Sequence, residues 1–73
     1  MKKQLTELDI CQKDFTELSE KLKKLEVFLQ SPLSESLEIS YKNLLNDQQH
    51  AMKLYLEILA KRIDILRYNQ IYR

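Results

Sequence analysis

Glycine is absent from the 73 residues, and proline occurs once. Without glycine there is no phosphate-cradling glycine loop, and tight β-hairpins lose their usual turn residue. A single cysteine closes no disulfide within the chain. One histidine and one cysteine cannot supply the N and S ligands of a zinc site, so neither metal nor cofactor is expected. The longest apolar run is three residues, Ile58-Leu59-Ala60, against the ~20 that a membrane span needs. Met1-Lys2-Lys3-Gln4 leads into no apolar stretch, so no signal peptide is expected. A cytoplasmic protein follows as the default, with Cys11 kept as a thiol. Nor does one charge dominate: 12 Lys+Arg stand against 11 Asp+Glu, a net charge of +1. That balance lacks the strong basic excess of a general nucleic-acid binder.

What remains is a chain of one domain, residues 1–73, written in helical periods. A heptad with position a at Met1, Leu8, Phe15, Leu22 and Leu29 places d at Gln4, Cys11, Leu18 and Leu25. Eight of these nine positions are apolar, a coiled-coil-like seam that predicts a helix over about residues 3–30. Leu5 and Phe28 widen the seam, while Ile10 and Val27 lie off it. Asp9–Lys13, Glu17–Lys21 and Glu20–Lys24 are acid-before-base pairs at i, i+4, each adding ~0.2–0.5 kcal/mol on an exposed face.

Pro32 interrupts this helix and pushes Ser31 toward an extended backbone. Residues 31–37 are therefore expected to form a linker. Ser31, Ser34, Ser36 and Ser40 all offer caps for the next helix.

That second helix is expected over about residues 38–68. One stripe reads Tyr41, Leu45, Gln48, Met52, Tyr55, Leu59, Arg62, Leu66. Another reads Leu44, Ala51, Ile58, Ile65, with Leu56 and Ile63 on a third flank. Apolar residues thus cover more of the circumference than one partner helix can bury. Two long helices and a short linker predict an all-α antiparallel hairpin. A two-helix hairpin of this size sits near zero in net stability. The spare apolar surface therefore predicts self-association into a helical bundle, a dimer being the simplest and higher symmetric assemblies remaining open.

Charge is distributed unevenly along the chain. Residues 1–29 are neutral overall, residues 30–47 carry net −2 and residues 48–73 carry net +3. The basic, aromatic tail at 67–73 holds Arg67, Tyr68, Tyr72 and Arg73. It offers a surface for nucleic acid or an acidic partner, against the simpler reading of a frayed end whose cations favour the helix dipole.

Gln48, Tyr55 and Arg62 recur every seven residues and interrupt an otherwise apolar stripe. Arginine suits carboxylate or phosphate, tyrosine stacks, and glutamine reads polar edges in both directions. Together they suit an anionic, partly aromatic ligand such as a nucleotide. The competing reading is structural: a polar pair that sets bundle register, with Arg62 held by Asp14 or Glu17 across the hairpin. His50 and Asp47 stand three residues apart on one helix face, but no nucleophile or second base joins them, so no catalytic residue is expected. Cys11, at a d position, reads as a small core residue. Lys21-Leu22-Lys23-Lys24 alternates with Glu20 and Glu26 and reads as a solvated face.

The run Leu22-x-x-Leu25-Glu26-x-Phe28-Leu29, then Ser31-Pro32 and Leu37, then Leu44-Leu45-x-x-Gln48-x-x-x-Met52-x-x-Tyr55-x-x-x-Leu59-x-x-Arg62-Ile63, resembles a group of small helical-hairpin proteins encoded by bacteriophages and prophages. The resemblance spans roughly residues 15–65. Where the group often has an aromatic after the break, Leu33 or Leu37 stands here. The resemblance implies a role in host takeover or counter-defence. Some phage hairpin proteins oligomerise and sequester cyclic-nucleotide immune signals. The opening motif associated with such sponges is missing here, so none of their binding residues carries over.

The expectation is a non-enzymatic binding protein acting in the host bacterial cytoplasm. It would sequester a nucleotide second messenger in a homo-oligomer, with Arg62 on phosphate and Tyr55 stacked on a base. Two alternatives stand beside it: an inhibitor or adaptor docking an apolar helix face on a host or phage protein, and, less favoured by the charge balance, a nucleic-acid accessory protein using the basic tail.

Overall fold

The computed structural model describes residues 6–72, with side chains to Asn69. The chain is an antiparallel hairpin of α1 (Glu7–Gln30) and α2 (Ile39–Tyr72), joined through a 3-10 turn at Pro32–Ser36. There is no strand among the described residues. None of the helices described is long and apolar enough to cross a membrane.

Helix α1 begins at a capping box. Thr6 Oγ1 accepts from the Asp9 backbone N–H at 3.1 Å, and the Asp9 carboxylate accepts from the Thr6 N–H at 3.1 Å. Two amides that have no partner inside the helix are thereby satisfied. The helix ends at Gln30, as Pro32 requires. Expected helical positions 3–5 lie outside the described residues.

The serines of the turn serve the end of α1 more than the start of α2. Ser31 Oγ donates to the Phe28 carbonyl at 2.6 Å. Ser34, only 1% exposed, donates through Oγ toward the carbonyls of Leu29, at 3.0 Å, and Ser31, at 2.9 Å. The last carbonyls of a helix lack internal partners, so a buried hydroxyl here answers a real need. Helix α2 begins at Ile39, where the Lys42 N–H reaches the Glu38 carbonyl at 2.9 Å. It runs on to Tyr72, four residues past the expected Tyr68. The stretch 67–72, expected as a tail, is therefore the last turns of a 34-residue helix, about 51 Å long at 1.5 Å per residue.

The α1 seam is the one its heptad predicts. Leu8, Cys11 and Leu22 are buried and Phe15, Leu18, Leu25 and Leu29 partly so, while Ile10 and Val27 are exposed. The α2 seam differs from expectation. Leu45, Gln49, Met52, Leu56, Leu59, Ile63 and Leu66 turn inward. Spaced 4, 3, 4, 3, 4, 3, they hold the heptad register with one polar member. Leu56 and Ile63, expected on a flank, are in the seam. Tyr41, Gln48, Tyr55 and Arg62, expected to share the buried stripe, are exposed. The physical reason is composition: Leu45, Met52, Leu59 and Leu66 stay in the seam, and only its alternate positions move one residue along, from Gln48, Tyr55 and Arg62 to Gln49, Leu56 and Ile63, so no arginine is desolvated. Leu59 is fully buried at the centre, and Ile63 and Leu66 pack with Leu8, Cys11 and Phe15 at one end. Gln49, the polar member, donates to Glu26 Oε2 at 3.2 Å, and Lys53 Nζ lies 3.5 Å from the same oxygen.

The molecule measures 52 × 26 × 16 Å. It is one layer of two helices, so each helix keeps most of its outer surface in water.

Candidate functional site

Gln48, Tyr55 and Arg62 stand on one edge of α2, each directly before an inward-facing residue: Gln49, Leu56 and Ile63. All three are exposed. The edge brings them into line but not into one cluster. Seven residues advance a helix about 10.5 Å, so Gln48 and Arg62 are about 21 Å apart along the axis.

Arg62 Nη2 lies 3.5 Å from Glu7 Oε1. Its partner is thus Glu7 and not the expected Asp14 or Glu17. Those two acids instead border Tyr55, in a groove of about 200 Å³ with Leu18 and Lys21. Antiparallel register explains the exchange: a step of seven along α2, from Tyr55 to Arg62, is a step of seven back along α1, from Asp14 to Glu7. Gln48 Nε2 sits 3.8 Å from Met52 Sδ within its own helix, a weak contact. The chemistry of this edge is a tyrosine ring over a groove of mixed charge, a lysine beside it, and a guanidinium held by a solvated carboxylate that a stronger anion can displace.

The opposite edge of the hairpin carries a larger open groove, about 410 Å³, lined by Gln12, Phe15, Thr16, Ala60, Ile63, Asp64 and Arg67. Of these, sequence reasoning had singled out Arg67 as a binding residue, on the tail. The signal for Gln12 and Thr16 was present: they follow seam residues Cys11 and Phe15 at i, i+4 spacing, so they must flank the hairpin contact. Thr16 Oγ1 is engaged with the Gln12 carbonyl at 3.1 Å.

Cys11 is a fully buried free thiol. His50 and Asp47 are exposed, as are Lys21, Lys23 and Lys24, with Leu22 between them turned inward. Among the described residues no three His, Cys, Asp or Glu side chains converge as a metal site. Tyr72 and Arg73 lie outside the described side chains.

The family model named Sequestin matches residues 12–65. That span includes Gln48, Tyr55, Arg62, Lys21 and both helices of the contact. No curated protein and no solved structure matches the chain.

Proposed function

Because the chain belongs to the Sequestin family, a name that denotes sequestering a molecule, we propose that it binds and withholds a small anionic, partly aromatic ligand, a nucleotide-type immune signal, without catalysis. The setting is the bacterial cytoplasm during phage infection, and the binding species is a homo-oligomer. The observation that carries this reading is the Tyr55 edge. A stacking ring, the Lys21 ammonium and the Arg62 guanidinium stand on one side of the hairpin. Among the described residues, Arg62 is tied by a solvent-exposed contact to Glu7, worth at most ~1 kcal/mol. The groove beneath Tyr55 is open, so tight retention of a ligand calls for a second copy to close it.

The test is native mass spectrometry of the purified protein, alone and with a panel of cyclic dinucleotides and cyclic ADP-ribose isomers. The expected result is a symmetric oligomer that takes up an integral number of one panel member. Arg62→Gln should weaken that uptake tenfold or more, since a charge-assisted hydrogen bond is worth ~1.5–3 kcal/mol. An oligomer that takes up none of the panel, or uptake indifferent to Arg62, overturns the reading.

A second reading rests on the exposed aliphatic residues Leu44, Ile58 and Ile65. They suit docking on a partner protein, and a stoichiometric protein captured from infected cells would favour it.

A further inference from the structure

The groove at Tyr55 is lined by Asp14, Glu17, Leu18 and Lys21. Its charged members are two acids and one base, so the floor beside the stacking ring is net negative. Among the described residues no hydrogen bond or ion pair engages the side chains of Asp14, Glu17, Lys21 or Tyr55. Elsewhere along the helix contact the acids of α1 are engaged. Glu7 lies 3.5 Å from Arg62, and Glu26 meets Lys53 at 3.5 Å and Gln49 at 3.2 Å.

Heptad spacing accounts for the difference. Asp14 comes seven residues after Glu7, and Tyr55 seven before Arg62. The antiparallel register therefore sets Asp14 near a tyrosine where Glu7 meets an arginine. Glu17 follows Asp14 at i, i+3 and lies on the same helix face. Two carboxylates thus border one ring, with Lys21 to balance only one of them.

This floor opposes an anion resting directly on it, because like charges at close range repel. An ionised carboxylate accepts hydrogen bonds and donates none. The part of a ligand that stacks on Tyr55 must therefore be uncharged and must carry O–H or N–H donors. Its anionic part belongs at Arg62, one heptad or about 10.5 Å along α2. The edge is in this way divided into a donor-accepting groove and a separate anion contact.

We propose that Asp14 and Glu17 are specificity-determining residues of this site. They accept hydrogen bonds from the neutral donors of a nucleotide, its ribose hydroxyls or its base amino group, while its phosphate is held at Arg62. The inference rests on the nucleotide reading of the Tyr55 edge and adds which nucleotides that edge retains. A site built to hydrogen-bond a ligand donor discriminates strongly against an analogue that lacks it. The acids then select for the ligand, although their charge has the same sign as its phosphate.

The sign of an acid-to-alanine effect separates the two roles. Acids that only repel the phosphate raise the affinity when removed. Acids that accept a ligand donor lower it when removed, and only for ligands that carry the donor.

The test is isothermal titration of the full chain with 3′,3′-cyclic di-AMP and with cyclic ADP-ribose. Each is run beside its 2′-deoxy analogue and its inosine analogue, on the original protein and on Asp14→Ala and Glu17→Ala. Alanine favours the helix, and circular dichroism checks that both variants keep it. The expected outcome is a probe that binds about tenfold more tightly than one of its analogues, as a charge-assisted hydrogen bond allows. At least one alanine variant should lose about that factor for the probe and little for that analogue. A gap at the 2′-deoxy analogue assigns the donor to the ribose, and a gap at the inosine analogue assigns it to the base. Variants that bind probe and analogues more tightly show acids that merely repel, and equal losses for all show a structural role; either overturns the inference. A probe and analogues that bind the original protein equally overturn it too and leave the nucleotide reading standing. Failure of both probes to bind removes that reading and this inference with it.

Discussion

Arg62 on α2 and Glu7 in the first turn of α1 approach to 3.5 Å across the open edge of the hairpin, with both side chains in contact with water. A pair so exposed holds little of the fold together, but it occupies the guanidinium that the proposed ligand site needs. Glu7 also stands where the α1 dipole favours an acid. Glu7→Gln is therefore expected to lower hairpin stability by no more than ~1 kcal/mol. The same change frees Arg62 and should tighten anionic-ligand binding by ~2- to 5-fold. Thermal melting and isothermal titration on the same preparation check both halves. A loss of affinity would mean that Glu7 positions Arg62 for the ligand instead of competing with it.

Ser34 is the hinge of the turn. Its hydroxyl faces the Leu29 and Ser31 carbonyls from a site that is almost wholly buried. Ser34→Ala removes the donor and leaves both acceptors without that partner, at a cost of ~1–3 kcal/mol. Ser36 donates to the Leu33 carbonyl from an exposed site, where water can replace it, so Ser36→Ala is expected to stay within ~0.5 kcal/mol. Urea denaturation of the two variants should separate them clearly. Equal midpoints would show that the turn relaxes to rehydrate the α1 carbonyls.

Leu59 and Ile58 are neighbours in sequence with opposite duties. Leu59 is fully buried in the hairpin seam, while Ile58 is exposed on the outer side of α2. Leu59→Ala should cost ~2–5 kcal/mol, enough to unfold a two-helix hairpin of marginal stability, seen as lost helicity in circular dichroism. Ile58→Lys should leave helicity intact at concentrations where the chain is monomeric and should shift the monomer–oligomer equilibrium toward monomer in sedimentation velocity. If Ile58→Lys instead unfolds a monomer, the single hairpin depends on that residue in a way its exposure does not explain.

Much of this fold was legible in the sequence because it is written in one period. The α1 seam at Leu8, Cys11, Phe15, Leu18, Leu22, Leu25 and Leu29 and the break at Pro32 needed only heptad counting and the chemistry of proline. The second helix was harder, since α2 is apolar on more than one side. The stripe through Arg62 and the seam through Ile63 share Leu45, Met52, Leu59 and Leu66, and periodicity alone does not say which alternate residues meet α1. The structure resolves it through cost: Ile63 enters the seam and Arg62 stays at the edge. The same shift decides the candidate site. Gln48, Tyr55 and Arg62 share a side, as their spacing requires, but they do not interrupt a buried stripe. The partnership of Arg62 with Glu7 was missed because it depends on inter-helix register, which no single helix encodes.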